Sequence, residues 1–184
     1  MPTSEATAPV SAGRVLVAGV GYQNLRDLSA GLHVLERLQQ LAQLEQLGQQ
    51  EGLGERVDLE DLSYGPIDVL FLLQRRAPYA AAVFVTGSKR GRPPGSVECR
   101  RWDPPPITPD ALQDRVVEGV TGVISLDNLL YICGHFGALP PEVIVVEVEP
   151  ADEGWGEGVS EAGGRALDEA TALVRAEVVR LLSA

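Results

Sequence analysis

Histidine and cysteine each occur twice in this 184-residue chain, methionine occurs once, and aromatic residues make up 5% of it. Each shortage closes off a class of functions. His33 and His135 lie far apart, so no histidine pair stands at metal spacing. Cys99 and Cys133 are too few for a disulfide framework and read as free thiols in a reducing compartment, one on a strand and one in a buried helix. No run of about 18 apolar residues exists, which excludes a helical membrane span and a membrane partner. Basic residues are outnumbered, 15 Lys and Arg against 26 Asp and Glu, for a net charge of −11. A surface so acidic argues against nucleic acid as a partner. Residues 1–13 are rich in small residues, Pro and Thr and lack an apolar signal core, so a disordered leader on a cytoplasmic protein is expected.

Apolar residues, by contrast, are plentiful at 45%. A chain of this size can bury roughly 70% of its unfolded surface, enough for one domain over 14–184. Arg14 to Ala18 is a short β-branched run closed by Gly19 and Gly21, a buried first strand entering a tight turn. Leu28, Leu32, Leu35, Leu38, Leu41, Leu44 and Leu47 then recur every three or four residues, the face of a long helix. Asp27 stands where its N-cap would be, and Gly48, Gly52 and Gly54 end it.

Further strands are expected over Arg56 to Leu59, Ala81 to Thr86 and Val143 to Val148. The second of these is the most apolar and therefore central. Ser96 to Trp102 has the period-two character of an edge or hairpin strand. Pro66 opens a short helix over Ile67 to Leu73. Helices are also expected over Asp110 to Val117, over Leu126 to Phe136, and along Leu167, Thr171, Val174, Val178 and Leu181. Pro150 to Gly164 reads as an acidic, glycine-rich loop. Alternating strands and helices predict an α/β three-layer sandwich, with a mostly parallel sheet of about five strands and helices on both faces. Sites in such sheets gather outside the carboxyl ends of the strands.

Local motifs are sparse. Gly19 to Asn24 begins like a dinucleotide fingerprint, but Asn24 replaces its third glycine, and a lone G-x-G is weak. No G-x-S-x-G elbow is present. The loop bearing Lys89, Arg90 and Arg92, with Arg100 and Arg101 nearby, stands out against the acidic whole. It reads either as a solvated loop or as the contact for an acidic partner.

Several segments in one order resemble a known family. Val15 to Gly21, followed by Asp27, Gly31 and Val34 to Leu38, is similar to the opening strand, glycine turn and first helix of the nickel–iron hydrogenase maturation endopeptidases. Val57 to Asp61 with Val69 to Leu73 resembles their second strand, aspartate loop and short helix. Val83 to Thr86 with Pro94 to Val97 resembles the central strand and its Pro-Gly turn. Leu126 to Leu139, Pro140, Glu142 to Pro150 and Trp155 to Ser160 complete the set.

The resemblance implies an enzyme that recognises nickel in a hydrogenase large subunit and clips a C-terminal extension. It also implies three metal-reaching groups: a carboxylate after the first aspartate, an aspartate ending the central strand, and a histidine before the fourth helix. Here those positions fall at Leu28, near Thr86 or Val85, and near Gly122 or Thr121, and Tyr22 replaces a usual asparagine. No metal ligand and no cofactor is therefore expected, with nickel itself doubtful. The leading expectation is a peptidase-like pseudoenzyme that binds a hydrogenase large subunit or its precursor, alongside other maturation factors. Its binding surface would be Gly19, Gly21, Tyr22, Lys89, Arg90 and Arg92. The alternative is an active endopeptidase with altered ligands, for which Asp27, Asp61, Asp127 and His135 are the groups to examine. A third reading is an unrelated small-molecule enzyme or binding protein on the same layout.

Overall fold

Side chains alternate across a strand, so a strand buried at every residue must have cover on both faces of its sheet. In the computed structural model, which describes residues 13–47 and 56–183, three strands are of this kind. They are β1 (Val15–Val20), β3 (Ala81–Gly87) but for its last residue, and β5 (Glu142–Val148) but for its first. The other strands are β2 (Val57–Asp61) and β4 (Val97–Arg101). Five α-helices accompany them among the described residues: α1 (Ala30–Leu47), α2 (Pro66–Gln74), α3 (Pro109–Val120), α4 (Leu126–His135) and α5 (Glu161–Leu182). The leader expected over residues 1–13 lies, except for Gly13, outside the described residues, as do Gly48, Gly52 and Gly54.

The sheet runs β2-β1-β3-β5-β4, with β1, β2, β3 and β5 parallel and β4 antiparallel to β5. β3 is central and β4 is an edge, as the sequence predicts. Val15, Val17, Val83, Val85, Val146 and Val148 point to one face and pack against Val34 and Leu38 of α1 and Ala170, Val174 and Val178 of α5. Leu16, Ala18, Ala82, Phe84, Val143 and Val145 point to the other, against Val69, Leu70 and Leu73 of α2 and Leu129, Ile132 and Cys133 of α4. None of the helices is long and apolar enough to cross a membrane.

Two boundaries differ from the sequence reading. The first helix is entered through a 3-10 turn, Arg26–Ser29, and Asp27 does not cap it. Its carboxylate leaves the helix for the loop after β5, as described below. α5 begins at Glu161, inside the stretch expected to be loop. Ser160 caps it by accepting from the Gly163 amide at 2.9 Å. Gly163 is a poor helix former, yet a Cβ there would lie 2.3 Å from the Asp27 carboxylate. Burial of Asp27 against this turn overrides propensity.

β1 leads to β2 on one side of the sheet, and the chain then crosses to β3 on the other. The carboxyl ends of β1 and β3 thus form the point where the winding reverses, and a crevice opens there.

Candidate functional site

That crevice is a cleft of about 170 Å3. β1 supplies Val20 and continues into Gly21 and Tyr22; β3 supplies Thr86 and Gly87 and continues into Ser88 and Lys89. The 3-10 turn adds Leu28, and the run into α4 adds Ile124, Ser125, Leu126 and Asp127. The Tyr22 hydroxyl accepts a hydrogen bond from the Ile124 amide at 2.9 Å, tying the turn after β1 to the approach of α4. Gly21 donates its amide to the Ser63 hydroxyl at 3.1 Å.

Tight main-chain packing lets the 3-10 turn reach the strand ends. A Cβ on Gly21 would lie 2.5 Å from the Leu28 carbonyl oxygen, and one on Gly87 would lie 2.2 Å from that of Asp27. Gly19 packs likewise on Gly31. Gly19 and Gly21, singled out in the sequence as binding residues, therefore have a packing reason to be glycine, and of the two only Gly21 lines the cleft.

Asp27 is fully buried. Its two oxygens accept from the amides of Ser160 (2.7 Å), Ala151 (2.8 Å) and Asp152 (3.0 Å) and from the Ser160 hydroxyl (2.7 Å). Burial alone would raise its pKa; the donors from Ser160, Ala151 and Asp152 outweigh burial and hold it below the ordinary 3.8. Asp27 is an anchor for the β5–α5 loop and does not line the cleft. Asp61 is exposed at the end of β2, where it accepts from the Ser63 amide at 2.9 Å.

The basic loop is largely turned inward. Side-chain exposure is 68% for Lys89 but 33% for Arg90 and 20% for Arg92. Arg90 grips both oxygens of Asp127 at 2.8 Å and reaches Glu147 at 2.6 Å. Arg92 pairs with Glu98, with Glu147 at 3.2 Å and with Glu149 at 3.3 Å. Glu147 and Glu149 are buried at the end of β5. Glu149 also accepts the amides of Arg90 (2.9 Å) and Gly91 (2.9 Å). Its burial would raise its pKa, yet the Arg90 and Gly91 amides and the Arg92 side chain hold it below the ordinary 4.5. The Arg90 guanidinium likewise lowers the pKa of Asp127 against its partial burial. The loop is thus strapped onto β5 and α4, and Lys89, paired with Glu153, carries its outermost charge.

The sequence reading missed Glu147, Glu149 and Ser125. A signal for the glutamates was present: they stand two apart at the end of an otherwise apolar strand, hence on one face, in a chain whose basic residues cluster.

Of the positions where the resemblance places metal-reaching groups, Leu28 and Thr86 line this cleft. Gly122 lies two residues before Ile124, and neither it nor Thr121 lines it. A borderline divalent ion needs imidazole, carboxylate or thiolate donors; an isobutyl group and a neutral hydroxyl do not fit nickel. Among the described residues no group of three His, Cys, Asp and Glu could hold a metal ion. Nor are the four groups of the active-peptidase reading brought together. Asp127 opens α4 and His135 closes it, about 12 Å apart along the axis, and Asp27 and Asp61 lie elsewhere.

No protein-family model matches the sequence, and no curated protein does. Solved structures do match. An endopeptidase from Escherichia coli is 21% identical, covering 91% of this chain and 92% of its own, with a TM-score of 0.64. The hydrogenase maturating endopeptidase HybD from E. coli is 20% identical over 91% and 93%, TM-score 0.62. A hydrogenase 2 maturation peptidase from a Thaumarchaeota archaeon is 24% identical over 91% and 99%, TM-score 0.56. At such identities the likeness is one of fold: this chain has the fold of the hydrogenase maturation endopeptidases over about nine-tenths of its length.

Proposed function

We propose that the chain is a cytoplasmic, hydrogenase-maturation-peptidase-like binding factor. It holds a peptide segment of a nickel–iron hydrogenase large subunit, or of its precursor, at the cleft between β1 and β3, and it does not cut by a nickel-dependent route. One observation carries the reading: Leu28 forms a wall of that cleft, with Thr86 beside it, where the resemblance calls for carboxylates. A fold can persist while its chemistry is replaced.

Two further features support binding without cleavage. Asp127, the one carboxylate lining the cleft among the described residues, is held by both terminal nitrogens of Arg90, which lowers its basicity. The Tyr22–Ile124 hydrogen bond and the Arg90–Asp127 pair hold lining residues in place, which limits the ordering cost of binding.

The test is retention of a purified large-subunit precursor on the immobilised chain, with nickel present and with a chelator. Equal retention in both is expected. Retention that requires nickel, or none in either, overturns the reading.

A further inference from the structure

The cleft combines two chemistries. Val20, Leu28, Ile124 and Leu126 give it hydrocarbon walls, and Lys89 and Asp127 are its charged members. Asp127 is committed to Arg90. Lys89 is not held in the same way. Its partner is Glu153, and both side chains are well exposed, at 68% and 40%. Exposed pairs of this kind contribute little and exchange readily, so an incoming carboxylate can take the ammonium from Glu153. The Ser88 and Ser125 hydroxyls line the same space.

Size narrows the occupant. At about 170 Å3 the cleft is near the ~150 Å3 of an apolar cavity that admits one benzene. It is well below the roughly 300–1,000 Å3 of sites for larger small molecules. One side chain fits, and a nucleotide does not. An internal Asp or Glu would bring a carboxylate but leave Leu28 and Ile124 facing water. An internal Leu would cover those walls and leave Lys89 unused.

We propose that the cleft takes the carboxyl-terminal residue of a partner chain. Its aliphatic side chain lies against Leu28 and Ile124, and its main-chain carboxylate meets Lys89. The net charge of −11 favours a basic body in the residues before that terminus. The proposal rests on the reading of the cleft as the seat of a partner peptide, and it adds which residue enters and by which group.

The test uses N-terminally labelled hexapeptides bearing lysine and arginine, followed by fluorescence anisotropy. One ends in leucine with a free carboxylate, a second is its carboxamide, and a third ends in aspartate. The free acid ending in leucine should bind best, with the carboxamide weaker by about two- to fivefold, the scale of one exposed ion pair. Lys89→Ser, at an exposed position, should bring the acid down to the carboxamide and leave the carboxamide unchanged. Leu28→Ala should erase the preference for leucine over aspartate. The gap between acid and carboxamide should narrow as salt rises. Equal binding of acid and carboxamide, or no binding of any peptide, overturns the proposal. If the large-subunit precursor is still retained while no peptide binds, only this inference falls; if neither is retained, the functional reading falls with it.

Discussion

Asp27→Ala removes the acceptor for four donors at once, in a place without solvent access. Each buried donor left without an acceptor costs about 1–3 kcal/mol. The four are not additive, because Ser160 Oγ can turn toward other acceptors and water can enter the void. The donors are three neutral amides and one hydroxyl, so with part of them satisfied again a net loss of about 3–5 kcal/mol is expected. For a domain of this size the melting temperature should fall by roughly 10 °C. Simple loss of a helix cap would cost about 0.5–2 kcal/mol, so the two roles are distinguishable.

The pH dependence gives a second handle. The folded-state pKa of Asp27 lies below its ordinary 3.8. Its contribution is therefore complete above the unfolded value and is lost as the pH falls through the folded one. Urea titrations followed by far-UV circular dichroism, on wild type and variant from neutral pH into the acid range, should show two curves far apart at pH 7. They should converge as the acid limb is descended. A loss under about 1 kcal/mol at neutral pH, on the cap scale or below, would refute the anchoring role and with it the explanation of why α5 starts at Glu161.

Three other outcomes follow from the same geometry. Glu149→Gln removes a buried charge that accepts two amides, while Arg92 keeps Glu98 and Glu147, and should cost about 1–3 kcal/mol, whereas Lys89→Ser, at an exposed pair, should change stability by less than about 1 kcal/mol; denaturant midpoints check both. The Cys133 thiol is pushed up to about 12 by burial, so it should resist alkylation at pH 8 in the folded protein and react on unfolding, as peptide mapping would show. Leu28→Glu should destabilise by about 1–3 kcal/mol, because Leu28 is half-buried among apolar neighbours. It should not create a tight nickel site by calorimetry, since Thr86 and Gly122 still offer no ligand.

The sequence made the sheet legible because its signals are local. The run Ala81 to Thr86 is apolar at every residue and sits in the middle of the sheet; Ser96 to Trp102 alternates and sits at its edge. Pro66 marks the start of α2 and Gly137, at φ 66°, follows the end of α4. What escaped are interactions between residues far apart in the chain. Asp27 looks like a cap because it precedes a helical pattern, and nothing local reveals that its acceptors serve Ala151, Asp152 and Ser160. The loop carrying Lys89, Arg90 and Arg92 looks like one basic patch, yet its arginines are neutralised by glutamates that the sequence places fifty-odd residues later. The leucine periodicity put Leu28 on the helix face, whereas it lies in the 3-10 turn ahead of α1; only its place at the cleft was readable, from its position after Asp27.

The central claim is that Leu28 and Thr86 have taken the place of metal-reaching groups, so the partner is held and not cut. Intact-mass spectrometry of a nickel-loaded large-subunit precursor after incubation with stoichiometric chain tests it directly. The expected result is a precursor of unchanged mass recovered in complex with the chain. A precursor shortened by its C-terminal extension, in a reaction abolished by a nickel chelator, would contradict it.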